Sequence, residues 1–212
     1  MISQLGDKID VMTVSTADHT HAPAAMMGMR WGIHVYVQKP LTHTVWEARQ
    51  LAELARKNNI CTQMGNQGTA SDGIREGAEY MQAGGLGEVK EIHAWTNRPV
   101  WPQAPGITAR PGETMEVPDY LDWDSFIGPA PMRPYNSCYT PFKWRGWLDY
   151  GTGALGDMAC HTTNLAFMGL GLTQPTSLES VNTGPINDET FPAWATIHMQ
   201  FPKTAQNGPI KF

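Results

Sequence analysis

Short apolar runs and amphipathic stretches alternate over the first part of the chain. Ile9 to Ser15 is a β-branched apolar run, and Ile33 to Gln38 is another. Between them, Ala22 to Trp31 is rich in alanine and methionine and is followed by Gly32, a residue type common at helix C-termini. This pattern predicts a strand, a helix and a second strand, which together form a right-handed unit with parallel strands.

A second unit of the same kind follows directly. Thr44 and Glu47 have the spacing of a capping box, and apolar residues then recur at helical spacing up to Asn59. Ile60 to Met64 is a third apolar run. Because the carboxyl ends of parallel strands meet at one edge of a sheet, where open α/β sheets bind ligands, we expect the polar residues after the three strands to line a crevice.

The pattern changes after the third strand. Ser71 to Ala83 predicts a helix, and the alternation from Glu88 to Thr96 predicts a half-exposed strand. Asn97 to Tyr150 is irregular and rich in proline, glycine and tryptophan, a composition that suits a surface loop lining a pocket for a polyhydroxylated ligand. Beyond it the sequence predicts a helix from the glycine-rich run at Gly151 through about Leu170 and two strands, Thr176–Thr183 and Ala193–Phe201.

These elements predict the α/β fold class, with a partial Rossmann-like parallel sheet followed by an α+β domain whose sheet is mainly antiparallel. We expect the first domain to span residues 1–67 and the second to span residues 68–212.

Composition narrows the classes of partner. The chain has 212 residues and a formal net charge of -5, and it has no lysine and arginine cluster of the kind that follows a phosphate backbone, so we expect no nucleic-acid partner. It has neither an apolar stretch of about 18 residues nor a signal-peptide pattern, which predicts a cytoplasmic protein with no membrane partner. Three cysteines without a C-x-x-C pair indicate neither a disulfide framework nor a structural zinc site.

Lys39 is the first candidate for chemistry. It follows the second strand and precedes Pro40, and proline disfavours the helical conformation of the residue before it. Lys39 is therefore expected at the carboxyl end of the strand, where its ammonium group can hold a phosphate, a ribose or a substrate oxygen. A surface Lys-Pro turn is the alternative interpretation.

Asp157 and His161 are the second candidate. Residues four apart share one face of a helix, and a carboxylate beside an imidazole orients the ring and raises its basicity. Histidine is also the side chain whose unperturbed pKa suits proton transfer near neutrality. The alternative is a purely structural pair, in which the helix dipole favours an N-terminal aspartate and the histidine is half buried.

Other polar residues leave more than one interpretation open. His19 and His21 flank the start of a helix, and we expect a cofactor contact or a helix cap there and no metal site. Arg145 lies beside Trp144, where it either clamps a substrate oxygen or stacks on the indole. Asn66 follows the third strand and is either a ligand contact or a turn residue. The glycine-rich dinucleotide fingerprint is absent from this sequence.

Three segments together resemble the Gfo/Idh/MocA family of NAD(P)-dependent oxidoreductases. Val14 to Pro23 resembles the strand and loop beside the nicotinamide, His34 to Leu41 resembles the E-K-P signature, and Asp157 to His161 resembles the D-x-x-x-H helix. The resemblance implies that Lys39 orients the substrate and nicotinamide, that His161 is the acid/base, and that Asp157 supports it or binds substrate together with Trp144 and Arg145. By the same resemblance the residues lining NAD or NADP are Ser15, Thr16, His21, Lys39, Pro40, Asn66 and Gln67.

The resemblance also implies a reaction. We expect hydride transfer between NAD(P) and a hydroxyl carbon of a sugar, a cyclitol or a related polyol, in a homo-oligomer assembled through the C-terminal sheet. An NAD-dependent glycosidase on the same fold and a non-catalytic binding or interaction module are the alternatives.

Two departures from the family pattern bear on these expectations. Gln38 stands where the signature most often has glutamate, and the chain starts near the fourth strand of the family's first domain. We therefore expect an internal part of such an enzyme, truncated at both ends, and an exported form of the complete protein stays open.

Overall fold

A computed structural model describes residues 2–100, 106–204 and 207–212 of the chain. The fold divides into two units, of which the first comprises Met1–Gly65, Pro99–Asp157 and Asn187–Phe191, and the second Asn66–Arg98, Met158–Ile186 and Pro192–Phe212. The helices are α1 (Ile2–Leu5), α2 (His21–Arg30), α3 (Val45–Asn58), α4 (Asp72–Gln82), α5 (Trp123–Ile127), α6 (Gly153–Thr162) and α7 (Asn164–Leu170). The strands are β1 (Val11–Val14), β2 (His34–Gln38), β3 (Thr62–Gly65), β4 (Ser177–Thr183), β5 (Ala195–Phe201) and β6 (Ile210–Lys211).

The first unit contains the parallel sheet that the apolar runs predict. Its strand order is β1, β2, β3, and Val37 of β2 pairs with Val14 on one side and with Met64 on the other. The helices α2 and α3 pack their apolar faces on the sheet, and this packing removes the apolar side chains of helices and strands from water. The buried core consists of Val14, Ala25, Met29, Val35, Val37, Leu51 and Ile60.

Local sequence signals set the ends of α3. The Thr44 hydroxyl accepts a hydrogen bond from the Glu47 amide at 3.2 Å, and the Glu47 carboxylate accepts one from the Thr44 amide at 2.8 Å. This confirms the predicted capping box. The helix ends where Asn59 adopts a left-handed conformation, with φ of 53°.

The proline- and tryptophan-rich segment is irregular over most of its described length, and residues 101–105 lie outside the described residues. Helix α5 and a 3₁₀ turn at Lys143–Gly146 interrupt it. Several of its aromatic rings form a core of their own instead of standing at the surface, although Tyr120 is 85% exposed. The buried members of this aromatic core are Trp123, Ile127, Tyr135, Tyr139, Trp144, Trp147 and Tyr150.

The second unit contains an antiparallel sheet of order β4, β5, β6, as the fold class predicts. The prediction of a strand at Glu88–Thr96 is wrong, because among the described residues Glu91 forms one isolated bridge, to Lys211, and no ladder. Its partner strand β6 is two residues long and is therefore too short to form a ladder of hydrogen bonds with the whole segment. Buried apolar contacts in this unit come from Leu170, Leu172, Phe201 and Ile210.

The helix predicted through Leu170 is instead two helices. α6 ends at Thr162 and α7 starts at Asn164. The hydroxyls of Thr162 and Thr163 donate to the carbonyl oxygens four residues earlier, at 3.3 and 2.7 Å, and such back-bonding bends helices. No helix in the described part of the chain is both long and apolar enough to cross a membrane.

Candidate active site

An ion pair between Lys39 and Asp157 lies at the carboxyl end of β2. The Lys39 Nζ donates hydrogen bonds to Asp157 Oδ1 at 2.5 Å and to the Asp157 backbone oxygen at 2.9 Å. The two side chains are only 19% and 9% exposed. The Lys39 side chain is therefore not that of a solvated surface turn. Its ammonium group is held by the carboxylate and by the backbone oxygen of the same residue, Asp157.

Arg145 is the second cation near the same carboxylate. Its Nε lies 3.8 Å from Asp157 Oδ1, and its guanidinium stands 4.1 Å from the ring centroid of Trp144 and 3.8 Å from that of Phe142. The guanidinium also donates to the Phe142 carbonyl oxygen at 3.1 Å. The structure thus shows stacking of Arg145 on the Trp144 ring, one of the two interpretations, and a contact to the protein's own Asp157 carboxylate. Binding of a substrate oxygen by Arg145 stays a prediction. Trp144 itself is 8% exposed and belongs to the aromatic core.

Helix α6 carries both Asp157 and His161, and their spacing of four residues is about one turn. Its first residue, Gly153, has φ of 62°, and a Cβ there would stand 2.5 Å from the Phe191 ring. At Gly151 a Cβ would stand 2.4 Å from the Arg145 carbonyl oxygen. These glycines are therefore required for close packing against the protein's own atoms. His161 is partly buried.

The residues after β1 divide into exposed hydroxyls and a buried histidine. Ser15 and Thr16 are exposed, and the Thr20 hydroxyl donates to the Thr16 hydroxyl at 2.7 Å. His21 is 1% exposed, with Nδ1 2.8 Å from the carbonyl oxygen of Pro40 and Nε2 3.0 Å from that of Thr16. The imidazole therefore bridges the loop after β1 and the loop after β2.

Asn66 and Gln67 directly follow β3. The Asn66 Nδ2 donates to the Cys160 carbonyl oxygen of α6 at 2.6 Å. The Asn66 Oδ1 is buried and has no hydrogen-bond partner among the described residues, whereas Gln67 is exposed. Asn66 thus bonds to α6, and in the described part of the chain no donor reaches its amide oxygen.

Sequence reasoning did not single out Asp18 as a site residue. It is 3% exposed, and its Oδ2 accepts a hydrogen bond from the Thr152 hydroxyl at 2.7 Å. Burial raises the pKa of the Asp18 carboxyl, and the bond from Thr152 and the nearby charges of His21 and Arg145 offset part of that rise. A carboxylate in a loop at the carboxyl end of a strand, next to two histidines, was the sequence signal for it.

Two models of one protein family match the chain. The family's NAD-binding Rossmann fold matches residues 2–66, and its C-terminal alpha/beta domain matches residues 105–207. Together these two segments cover well over half of the sequence.

A curated relative and two solved structures are similar to the chain. Levoglucosan dehydrogenase of Pseudarthrobacter phenanthrenivorans is 22% identical over 160 residues, which is 74% of this chain and 32% of that protein. The structure of GenD2 from gentamicin A biosynthesis, in complex with NAD, has a TM-score of 0.62 at 18% identity and covers 100% of this chain and 49% of its own. An inositol dehydrogenase homologue from Azotobacter vinelandii, complexed with NADH and myo-inositol, has a TM-score of 0.57 at 19% identity and covers 97% of this chain and 44% of its own.

The chain spans about half the length of these solved structures and a third of the curated relative. At these sequence identities the similarity to solved structures shows the fold, and the matches to the two family models show membership of the family. The strands β1, β2 and β3 of the parallel sheet lie within the first matched segment, and β4 and β5 of the antiparallel sheet lie within the second. The chain belongs to the Gfo/Idh/MocA family of oxidoreductases.

Proposed function

We propose that the protein transfers a hydride between NAD(P) and a hydroxyl-bearing carbon of a sugar or cyclitol. The observation that carries the proposal is the Lys39–Asp157 pair at the carboxyl end of the parallel sheet. Ligands of open α/β sheets bind at this edge. Relatives named for levoglucosan and inositol support a polyhydroxylated substrate class.

Polar groups that follow β1 and β3 in the sequence have the chemistry to bind a nicotinamide nucleotide. Ser15 and Thr16 offer exposed hydroxyls, which suit a ribose or a carboxamide. The buried Asn66 Oδ1 is an acceptor with no donor among the described residues, and an unpaired buried acceptor costs about 1–3 kcal/mol. When bound, the cofactor supplies the hydride acceptor.

Lys39 has the geometry to bind the substrate oxygen. An ammonium group has three N–H donors, and Asp157 accepts two of them through its side chain and its backbone. The third is available for the oxygen of a substrate hydroxyl. Because Asp157 holds Nζ in one position, the lysine binds without losing further rotamer freedom.

His161 accepts the proton in this proposal. Oxidation of an alcohol to a carbonyl removes a hydride from carbon and a proton from oxygen, and the proton goes to an unprotonated ring nitrogen of His161. Histidine can hold that proton near neutral pH and release it afterwards. In the reverse reaction the imidazolium returns the proton to the carbonyl oxygen.

A homo-oligomer assembled through the antiparallel sheet is part of the proposal. Six of the seven residues of β4 are exposed, from Ser177 to Asn182, among them Leu178 at 63% and Val181 at 48%. A strand exposed on both faces leaves apolar side chains in water, which a second copy of the sheet would cover.

The test is a dehydrogenase assay on the full protein with NAD and with NADP. Levoglucosan, myo-inositol and a panel of hexoses serve as substrates, and formation of the reduced cofactor is followed by absorbance. We expect turnover of at least one of them and a loss of about 100-fold or more in His161→Gln. Lys90→Met, a change at an exposed lysine, is the control. Absence of cofactor reduction across the panel would contradict the proposal. Release of nitrophenol from an added nitrophenyl glycoside without net cofactor reduction would favour the glycosidase.

A further inference from the structure

Three consecutive residues before α6 are each hydrogen bonded to a side chain from the loops after β1 and β2. The Thr152 hydroxyl donates to Asp18 Oδ2 at 2.7 Å. The Gly151 carbonyl oxygen lies 2.9 Å from Nε2 of His43, and the Tyr150 carbonyl oxygen lies 3.2 Å from Nδ1 of His19. We call Asp18, His19 and His43 the α6 clamp.

The bonds of the α6 clamp are largely shielded from water. Asp18 and His19 are 3% and 2% exposed, and the backbone amide of His19 adds a second bond to the Tyr150 carbonyl oxygen at 3.2 Å. Buried hydrogen bonds of this kind fix geometry, because the alternative is an unpaired polar group away from water. The segment is also packed against backbone at Gly151, so it has little room to shift.

The clamp acts on the helix that carries the candidate catalytic residues. Thr152 immediately precedes α6, and its backbone oxygen accepts a hydrogen bond from Gly156, the residue before Asp157. A helix transmits a displacement of its first turn to the next turn, because its hydrogen bonds link each residue to the one four positions away. The position of Thr152 therefore sets the position of Asp157.

We propose that Asp18 is a positioning residue, which through the Thr152 hydroxyl fixes the start of α6 and so holds Asp157 against Lys39. The inference rests on the proposed function for its effect on turnover, but the geometry it describes is independent of the substrate. The bond from the Thr152 hydroxyl is 2.7 Å long and its acceptor is a side chain that is 3% exposed, so little water competes for it. The charged and titratable side chains near the Asp18 carboxyl are those of Arg145, His21 and Asp157.

The expected effect on catalysis is large for the size of the change. A displacement of about 1 Å in a catalytic group can lower the rate about 100-fold. We expect kcat to fall about 10-fold or more in Thr152→Val, which has nearly the same shape but no hydroxyl. The KM for the cofactor should stay within about 2-fold, because neither Asp18 nor Thr152 is proposed to touch it.

The experiment compares Thr152→Val, Thr152→Ser and Asp18→Ala in the full chain. Thr152→Ser restores the hydroxyl and should recover most of the lost kcat. The double variant Asp18→Ala/Thr152→Val should be no slower than the worse single variant, since both remove one bond. Thr13→Val, the same change at an exposed position on β1, should leave kcat unchanged.

A second measurement makes the inference independent of the activity. Amide hydrogen exchange over residues 153–157 should become about 10-fold faster in Thr152→Val and stay near the wild-type rate in Thr152→Ser. Equal exchange and equal kcat in these two variants would overturn the positioning role. If the wild-type protein reduces no cofactor while the exchange result is as expected, then the proposed function fails and the clamp stands.

Discussion

Replacing Lys39 by methionine tests the structural account most simply. The change removes two hydrogen bonds, at 2.5 and 2.9 Å, from Asp157, whose side chain is 9% exposed. A hydrogen bond to a charged group contributes about 1.5–3 kcal/mol. Because Lys39 is 19% exposed and Arg145 still faces the carboxylate at 3.8 Å, we expect a net loss of about 2 kcal/mol in the free energy of unfolding. For a chain of this size that is a fall in Tm of about 4–8 °C.

The assay is urea unfolding of Lys39→Met, Asp157→Leu and the double variant, arranged as a double-mutant cycle. The bond from Nζ to the Asp157 backbone persists in Asp157→Leu, so the cycle isolates the carboxylate. We expect a coupling energy of about 2 kcal/mol. Lys90→Met, whose lysine is 79% exposed, should change the free energy of unfolding by less than about 0.5 kcal/mol. Additive single effects, within about 0.5 kcal/mol, would refute the pairing.

Three further predictions concern other sites. Burial raises the pKa of Asp18, so its ionised form lowers the stability of the folded protein at neutral pH. Asp18→Asn should therefore raise Tm at neutral pH, and the increase should shrink as the pH falls toward about 3.8, the pKa of Asp18 in the unfolded chain. Asp119→Asn, at an exposed position, should leave Tm unchanged. Burial lowers the pKa of His19, so the neutral ring contributes its full stability above about pH 6.5, and this contribution is lost as the pH falls through the pKa of the folded state. His19→Gln should therefore reduce the fall in Tm at acidic pH, whereas His93→Gln, at an exposed position, should not. Leu178→Glu on β4 should lower the mass measured by light scattering to that of the monomer, whereas an unchanged mass would place the interface elsewhere.

The elements with strong local signals were predictable from the sequence. The capping box at Thr44 and Glu47 depends on neighbouring residues alone, and the three apolar runs of the parallel sheet are long enough to be identified individually. The strand predicted at Glu88–Thr96 failed because a strand needs a partner, and the length of β6 is not encoded near Glu91. The break in the helix at Thr163 depends on whether hydroxyls bond back to the helix, which composition does not decide.

The candidate site was predictable in its residue types and not in its contacts. The sequence identified Lys39 and Asp157 separately, and their ion pair joins positions 118 residues apart. For Arg145 the sequence left substrate binding and stacking open, and the structure shows stacking on Trp144 together with a contact to the Asp157 carboxylate. Asp18 was passed over because its partner, Thr152, is distant in sequence and carries no motif of its own.

Transfer of deuterium from substrate carbon to cofactor is the measurement that tests the central proposal most directly. The full protein is incubated with NAD(P) and a sugar or cyclitol that carries deuterium at the hydroxyl-bearing carbon, and the reduced nicotinamide is analysed by mass spectrometry. We expect one deuterium in the reduced nicotinamide, at a rate that falls about 100-fold or more in His161→Gln. A product formed without deuterium in the nicotinamide would contradict hydride transfer at this site.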